Sequence, residues 1–158
     1  ILFCKHHPAL HATVMDWGMA KPVAEANIAS EGLEDRVVFE EGDFLEDDLP
    51  RGLDAILMFN IIRILTPEEL CGFLSKAQAS LAPGGVLLVM DHLGKEPRTP
   101  FVKANSDLIL LELYNSTQGR THRAEAVTRS LLDLGFAEAK TISLMRSPGL
   151  GMIRAIKG

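Results

Sequence analysis

The chain has 158 residues, 47% of them hydrophobic and 23% charged, with a formal net charge of -5. This size fits one domain with a sizeable core, and the composition is that of a globular protein, not a disordered one. The acidic balance argues against a nucleic-acid partner, and the longest apolar run, 56–65, is too short to span a bilayer, so no membrane partner is predicted.

Helices and strands alternate along the chain, as the apolar spacing and the Gly and Pro breaks indicate. The predicted helices are 1–7, 21–31, 66–81, 106–115 and 124–134. The predicted strands are 11–15, 36–39, 53–59, 86–90, 139–144 and 151–156. This order predicts an α/β fold with a mostly parallel sheet, helices on both faces and a final antiparallel strand pair joined by a turn at 147–149.

Local signals mark several of the predicted boundaries. The run Thr66-Pro67-Glu68-Glu69 has a capping Thr, Pro at the first helical position and acids in the first turn, which is typical of a helix start. Gly32 and Gly135 are predicted to end the helices before them. Pro83-Gly84-Gly85 is predicted to turn the chain into the strand 86–90.

Acids follow two successive predicted strands, at Asp16 and Asp43. Ligands of parallel α/β sheets bind beyond the carboxyl ends of the strands, where a carboxylate can accept hydrogen bonds from two ribose hydroxyls. Asp16 suits that role, and Asp43 suits an adenine amino group, with Trp17 and Phe44 as apolar walls. The alternatives are a solvated turn or helix cap for Asp16, an ordinary loop acid for Asp43, and core packing for Trp17.

The cysteine and histidine positions indicate no metal site. Cys4 and Cys71 have no metal-ligand spacing, which favours a reducing compartment and a cytoplasmic location. Cys71 falls within a predicted helix and is interpreted as a packing residue. Four histidines are interpreted as surface or turn residues: His6, His7, His11 and His122.

Four segments together resemble a class I S-adenosylmethionine-dependent methyltransferase. They are Asp16 at its strand end, GLEDRVVFEEGDFLE, FNIIRILTPEEL and LAPGGVLLVMD. More narrowly, they are similar to the O-methyltransferase family that carries an N-terminal dimerisation domain. The resemblance runs from about Ile1 to the C-terminus and makes 1–158 a catalytic, cofactor-binding domain with a Rossmann-like sheet.

The resemblance implies a function and a set of site residues. S-adenosylmethionine is the implied cofactor, and the implied activity is methyl transfer to an oxygen of a small molecule such as a phenol, in a possible homodimer. Asp16 would then bind the ribose and Asp43 the adenine, while the segment 106–136 would line the acceptor pocket. The other implied cofactor contacts are Trp17, Gly42, Phe44 and Asn60.

This sequence departs from the family pattern in two places. The glycine-rich loop that follows the first strand is absent, and the chain begins at Ile1 without Met, so we expect an N-terminal truncation that leaves out the first strand. Many relatives have a histidine base where this chain has Arg63. Arginine is always protonated and cannot act as a base, but it can orient a carboxylate or a phenolate, unless it is only a surface residue.

Two residues near the end of strand 86–90 are further catalytic candidates. Asp91 matches an acid that orients the family histidine, and His92 is a candidate base near neutral pH. Consecutive strand residues point to opposite sides, so we expect only one of the two to face the site.

Two other functions compete with an O-methyltransferase. One is a degenerate, non-catalytic module of the same fold, in which the loop and the histidine are real losses. The other is a nicotinamide-dependent dehydrogenase, in which Asp16 would bind the adenine ribose but the Gly42-Asp43-Phe44 and Pro83-Gly84-Gly85 motifs would have no role.

Overall fold

The computed structural model describes residues 1–93, 121–144 and 150–158. The predicted helix 106–115 and the predicted turn 147–149 lie outside these residues. The chain divides into two compact units, Ile1–Asp48 (unit 1) and Leu49–Gly158 (unit 2). No helix in the described ranges is both long and apolar enough to cross a bilayer.

Unit 1 consists of a parallel strand pair with helices packed on it. Its elements are α1 (Leu2–His6), β1 (Ala12–Asp16), a 3-10 turn (Gly18–Ala20), α2 (Lys21–Ser30) and β2 (Val37–Glu41). The strands pair in parallel, with Ala12 opposite Val37 and Asp16 opposite Glu41. The buried core is formed by Cys4, Ile28, Leu33 and Val37. The two predicted strands are confirmed, each shifted toward the C-terminus.

Helix α2 ends as its glycine predicts. Gly32 has a φ of 61°, a conformation that favours glycine. Its N–H donates to the Ala29 carbonyl at 3.0 Å, and the Leu33 N–H donates to the Ile28 carbonyl at 3.2 Å. This is the Schellman pattern, and the buried Ile28 and Leu33 are the apolar pair that accompanies it. The end of α2 therefore directs the chain into the core of unit 1.

The guanidinium of Arg36 connects the start of β2 to α1 and the loop after it. Nη1 lies within hydrogen-bonding distance of four carbonyl oxygens: Cys4 at 2.9 Å, Pro8 at 3.1 Å, and His7 and Leu10 at 3.3 Å. These carbonyls include the C-terminal end of α1, where a cation is favourable. Arg36 thus binds residues that lie 26 to 32 positions away in sequence.

Unit 2 contains a mixed four-stranded sheet in the order β3-β4-β6-β5. Its elements are β3 (Leu53–Phe59), a 3-10 turn (Ile62–Ile64), α3 (Pro67–Ser80), β4 (Leu81–His92), α4 (Ala124–Asp133), β5 (Phe136–Ser143) and β6 (Leu150–Lys157). β3 and β4 are parallel, whereas β6 is antiparallel to both β4 and β5. The predicted α/β alternation and the final antiparallel pair are confirmed. Among the described residues, β1 pairs with β2 alone and β3 with β4 alone.

The start of α3 is confirmed as predicted from Thr66. The Thr66 hydroxyl accepts the Glu69 N–H at 3.2 Å, and the Glu69 carboxylate accepts the Thr66 N–H at 2.7 Å, with Pro67 at the first helical position. This reciprocal pair is a capping box. It fixes where α3 begins and so where the preceding turn must end.

The predicted start of the strand at Val86 is wrong, since β4 begins at Leu81. The Pro83-Gly84-Gly85 segment lies within the strand as an irregularity, where the register against β3 shifts between Leu53 and Ala55. Gly84 has a φ of 76°. A Cβ on Gly85 would come within 2.8 Å of the Ala82 carbonyl and 3.0 Å of the Leu53 carbonyl, so the close approach of the backbones requires glycine.

Two cations on the β5–β6 pair should make the Glu138 carboxyl more acidic. Hydrogen bonds from Lys140, at 3.0 Å, and from Arg154, at 2.5 Å, lower the pKa of Glu138 below its ordinary value of 4.5. Since the folded pKa is the lower one, the pair stabilises the fold above about pH 4.5, and this contribution is lost as the pH falls through the folded pKa.

NMR titration of the Glu138 side-chain carboxyl is therefore expected to give a midpoint below 4.5, which Lys140→Met raises and Lys5→Met, a change within unit 1, leaves unchanged. A midpoint that is the same in Lys140→Met as in the wild type would contradict the role of Lys140 in lowering the pKa of Glu138.

Candidate functional site

The polar residues of unit 1 gather where its two parallel strands end. Asp16 closes β1 and lies opposite Glu41, which closes β2. The Gly42 N–H donates to the Asp16 carbonyl at 3.1 Å and continues the pairing one residue beyond the strands. Parallel strands bring both carboxyl ends to the same edge, so two acids from distant sequence positions become neighbours.

Asp16 and Trp17 form the first side of this edge. The Asp16 Oδ1 accepts the backbone N–H of Trp17 at 2.8 Å, which orients the carboxylate at the strand end. Trp17 leads into the 3-10 turn and has 60% of its surface exposed. An exposed indole on a strand-end loop is apolar surface available to a flat ligand. The core-packing alternative for Trp17 is therefore wrong.

The loop after β2 is held by hydrogen bonds among its own acids. The Asp43 Oδ1 accepts the Leu45 N–H at 2.9 Å, and the Asp43 N–H donates to the Asp47 Oδ2 at 2.8 Å. The Asp43 carbonyl accepts the N–H groups of Glu46 at 3.0 Å and Asp47 at 2.7 Å. These bonds include an Asx turn and hold the loop in a defined conformation.

A cavity of about 300 Å³ opens at this edge. It is lined by Trp17, Gly18, Glu41, Gly42, Asp43 and Asp47. Three of the predicted residues, Trp17, Gly42 and Asp43, therefore come together. Asp16 and Phe44 are not among the lining residues, although each is the chain neighbour of one that is.

Three lining residues were not predicted from the sequence: Gly18, Glu41 and Asp47. Glu41 is the one that reaches the cavity from a strand. Its carboxylate lies directly against Gly18, and a Cβ at position 18 would overlap it. The contact follows from the parallel register, which sets Glu41 opposite Asp16. The available sequence signal was its position as the last strand residue before Gly42, but choosing it over Glu40 requires the register.

The chemistry of the cavity follows from its lining. Carboxylates accept hydrogen bonds and disfavour anions, so this edge suits a ligand with hydroxyl or amino donors and no phosphate. The exposed Trp17 ring adds a surface for an aromatic base. A nucleoside meets both requirements, because its ribose and exocyclic amine donate and its base is flat.

A second group of predicted residues lies in unit 2, after β3. Asn60 has a φ of 59°, a left-handed conformation that non-glycine residues rarely adopt but that Asn tolerates. Its N–H donates to the Met90 carbonyl at 2.8 Å. Arg63 follows within the 3-10 turn Ile62–Ile64, and its Nη1 lies 3.4 Å from the Asn60 Oδ1. Asn60 therefore connects the end of β3, the end of β4 and Arg63.

Asp91 is fully buried, although it is charged. Its Oδ2 accepts the backbone N–H of Arg63 at 3.2 Å, and its Oδ1 accepts the N–H of His92 at 2.7 Å. The Arg63 Nη1 lies 3.9 Å from Asp91 Oδ1, which is close enough for charge compensation but too far for a hydrogen bond. A buried carboxylate needs such partners. Asp91 is therefore placed to hold the Arg63 turn.

The two histidines of this unit have different environments. His92 is partly exposed and Asp91 is buried, as the alternation of strand residues leads one to expect, and that only one of them faces the site stays a prediction. His122 is interpreted above as a surface or turn residue, and the surface part is wrong: His122 is 9% exposed, and its Nε2 lies 3.0 Å from the Leu65 carbonyl. That partner is 57 residues away in sequence, which local reading cannot reveal.

Comparison with known proteins identifies related sequences. A family model described as an O-methyltransferase domain matches residues 2–137. The 3-hydroxy-5-methyl-1-naphthoate 3-O-methyltransferase of Streptomyces sahachiroi is 27% identical over 157 residues, which are 99% of this chain and 45% of that enzyme. The L-tyrosine C(3)-methyltransferase of Streptomyces lavendulae is 26% identical over 149 residues, or 94% of this chain and 40% of that enzyme.

Solved structures share the fold. The S-adenosylmethionine-dependent methyltransferase SibL, in its apo form, superimposes with a TM-score of 0.84 at 28% identity, over 99% of this chain and 46% of that one. The chain thus spans less than half the length of each of these relatives.

Loss of the Asp91 carboxylate should destabilise unit 2. Asp91→Ala leaves two backbone N–H groups without their acceptor, each at a cost of about 1–3 kcal/mol. We expect the free energy of unfolding in urea to fall by about 2–6 kcal/mol, and by less in Asp91→Asn, which keeps one acceptor oxygen. The control is Asp54→Ala, which removes an exposed acid from β3. Equal effects in the two alanine variants would contradict the role of Asp91.

Proposed function

Because this chain belongs to the O-methyltransferase domain family, we propose that it takes part in methyl transfer from S-adenosylmethionine to an oxygen of a small aromatic molecule. One observation carries the proposal: the cavity at the ends of β1 and β2 gathers the motif residues Trp17, Gly42 and Asp43. The names of related enzymes support the acceptor class, since a hydroxynaphthoate and L-tyrosine are aromatic compounds that carry a hydroxyl.

The residues of unit 1 suit the adenosine part of the cofactor. In this proposal Asp16 and Glu41 accept hydrogen bonds from the ribose hydroxyls, and Asp43 accepts one from the adenine amine. Trp17 covers one face of the base, and Gly42 allows the ligand to approach the backbone. Phe44 stays a predicted cofactor contact. The acidic lining also disfavours a dinucleotide, because a pyrophosphate would approach several carboxylates.

The residues of unit 2 are assigned to the acceptor side and to the turn that supports it. S-adenosylmethionine supplies a methyl group already activated on a sulfonium, so the protein mainly has to position and desolvate the acceptor oxygen. Arg63 contacts the acceptor in this proposal, and Asp91 holds the Arg63 turn. His92 stays the candidate base, while Asn60, predicted as a cofactor contact, has its described bonds to Met90 and Arg63.

The proposal extends to the rest of the protein. Residues 1–158 form the cofactor-binding catalytic domain, and the protein acts as a homodimer in the cytoplasm. Cys4 is buried whereas Cys71 is exposed, so the interpretation of Cys71 as a packing residue is wrong. Two free thiols support the proposal of a reducing compartment. Light scattering of the purified protein tests the dimer.

Binding of S-adenosylhomocysteine should depend on the strand-end acids. Asp16→Ala and Asp43→Ala are each expected to weaken binding by about 1–3 kcal/mol, because ligand donors lose their acceptors. Glu41→Gln is expected to weaken it as well, since an amide accepts at one oxygen only. Isothermal titration calorimetry measures the effect, with Glu34→Ala, an exposed acid of the same unit, as the control.

NAD serves as the competing ligand in the same titrations. Unchanged affinity in all three variants, with the fold intact by circular dichroism, contradicts the nucleoside site, and preferential binding of NAD contradicts methyl transfer.

The single tryptophan offers a separate readout of the same event. Trp17 lines the cavity and is 60% exposed, so a bound adenine ring should change its polarity and contacts. We expect the fluorescence to shift or quench along the calorimetric isotherm, and Asp43→Ala to move both curves together. A saturating ligand that leaves the emission unchanged would place the indole away from the adenine.

A further inference from the structure

Arg63 is positioned by its neighbours before any ligand arrives. Asp91 accepts its backbone N–H at 3.2 Å, and the guanidinium Nη1 lies near the Asp91 and Asn60 side-chain oxygens, at 3.9 and 3.4 Å. The side chain is 28% exposed, whereas that of Asp91 has no exposed surface. Part of the rotamer entropy that a flexible arginine loses on binding is therefore already lost here.

The side-chain contacts of Arg63 with described residues are made through one nitrogen of the guanidinium. Within the described residues, the Asn60 and Asp91 contacts both involve Nη1. A guanidinium has five N–H donors in a planar fork, and its Nε and Nη2 donors form one side of it. That side matches the two oxygens of a carboxylate, or a single anionic oxygen between both donors.

The charges of Arg63 and Asp91 explain why binding of an anion to Arg63 depends on hydrogen bonds. Buried Asp91 offsets the charge of Arg63, and the whole chain carries -5, so an anion gains little from long-range attraction. The Asp91 Oδ1 lies 3.9 Å from the Arg63 Nη1, however, which is too far for a hydrogen bond, so this contact does not occupy an N–H donor of the guanidinium. The donors are thus fixed in place and able to bond a nearby acceptor.

We propose that Arg63 binds an anionic oxygen of the acceptor, so that this protein selects aromatic acceptors that carry a carboxylate or an ionised phenol at neutral pH. This inference rests on the proposed function, because it specifies the acceptor of that same reaction. A guanidinium has hydrogen-bond donors only and cannot accept a proton, so its best partner is an oxygen that is already deprotonated. Charge-assisted bonds to it are stronger than bonds to a neutral group.

The test compares matched acceptors on the full chain. Calorimetry measures the affinities of meta-hydroxybenzoate and meta-hydroxybenzamide, which differ in charge but hardly in shape, with and without S-adenosylhomocysteine. We expect the acid to bind on the order of tenfold to a hundredfold more tightly than the amide. Arg63→Met should remove this difference and Arg63→Lys should reduce it. Arg51→Met, an exposed arginine of the same unit, should keep it.

Two outcomes overturn the proposal: wild-type protein that binds acid and amide equally, or a preference for the acid that survives in Arg63→Met. If Arg63→Met does not fold, Arg63→Lys still decides the test. Lysine keeps the charge but lacks the planar set of donors, so the difference in affinity between acid and amide should become smaller. A second pair, para-nitrophenol and phenol, separates the two sources of the anionic oxygen. If the protein prefers the anion only in the nitrophenol pair, Arg63 binds a phenolate. If it prefers the anion only in the benzoate pair, Arg63 binds a carboxylate.

Failure of the proposed function gives a different result. If S-adenosylhomocysteine does not bind, methyl transfer is contradicted, while the titrations without it still report whether Arg63 selects anions. If it binds and the acid preference is absent, only the role of Arg63 is contradicted.

Discussion

Parallel strand pairing determines where the polar groups of this chain gather. In a parallel pair both strands end at the same edge, and side chains that follow the two ends are brought together whatever their distance in sequence. In unit 1 this places Asp16 opposite Glu41, with Gly42 and Asp43 next to them. In unit 2 the β3–β4 pair ends at Phe59 opposite Met90, and Asn60 and Asp91 follow. All the candidate residues in the described ranges belong to one of these two edges.

The two edges differ in how their charges are balanced. The carboxylates at the edge of unit 1 are exposed or partly exposed, and Asp16, Asp43 and Asp47 each accept a nearby backbone N–H. Asp91 has no exposed surface, so the protein must satisfy it, and it does so with two backbone N–H groups and a nearby guanidinium. An exposed acid can change partners when a ligand binds, whereas Asp91 is bound to its own turn. The first edge is therefore suited to recognition and the second to positioning.

Local sequence signals predicted the features that local physics determines. The Thr66 cap, the Gly32 helix end and the acid at the end of β1 each depend on a few neighbouring residues, and the structure has them where they were expected. Two of the features that were missed depend on distant partners. Glu41 enters the cavity through its register with β1, and His122 is buried against a carbonyl 57 residues away. The segment Pro83-Gly84-Gly85 is predicted as a turn because Pro and Gly are common in turns, but both residues also occur in irregular strands.

The Arg36 guanidinium has a consequence for how unit 1 comes apart. A five-residue helix is not stable by itself. Helix α1 therefore depends on the hydrogen bonds that Arg36 donates to carbonyls at its end and in the following loop. Because Arg36 immediately precedes β2, α1 and β2 should open in one cooperative step and not fray one after the other. The contact between Arg36 and Cys4 joins residues 32 positions apart, so it raises the contact order of unit 1. Since a guanidinium stays charged at any pH that a cell meets, this coupling between the first helix and the second strand is a permanent one.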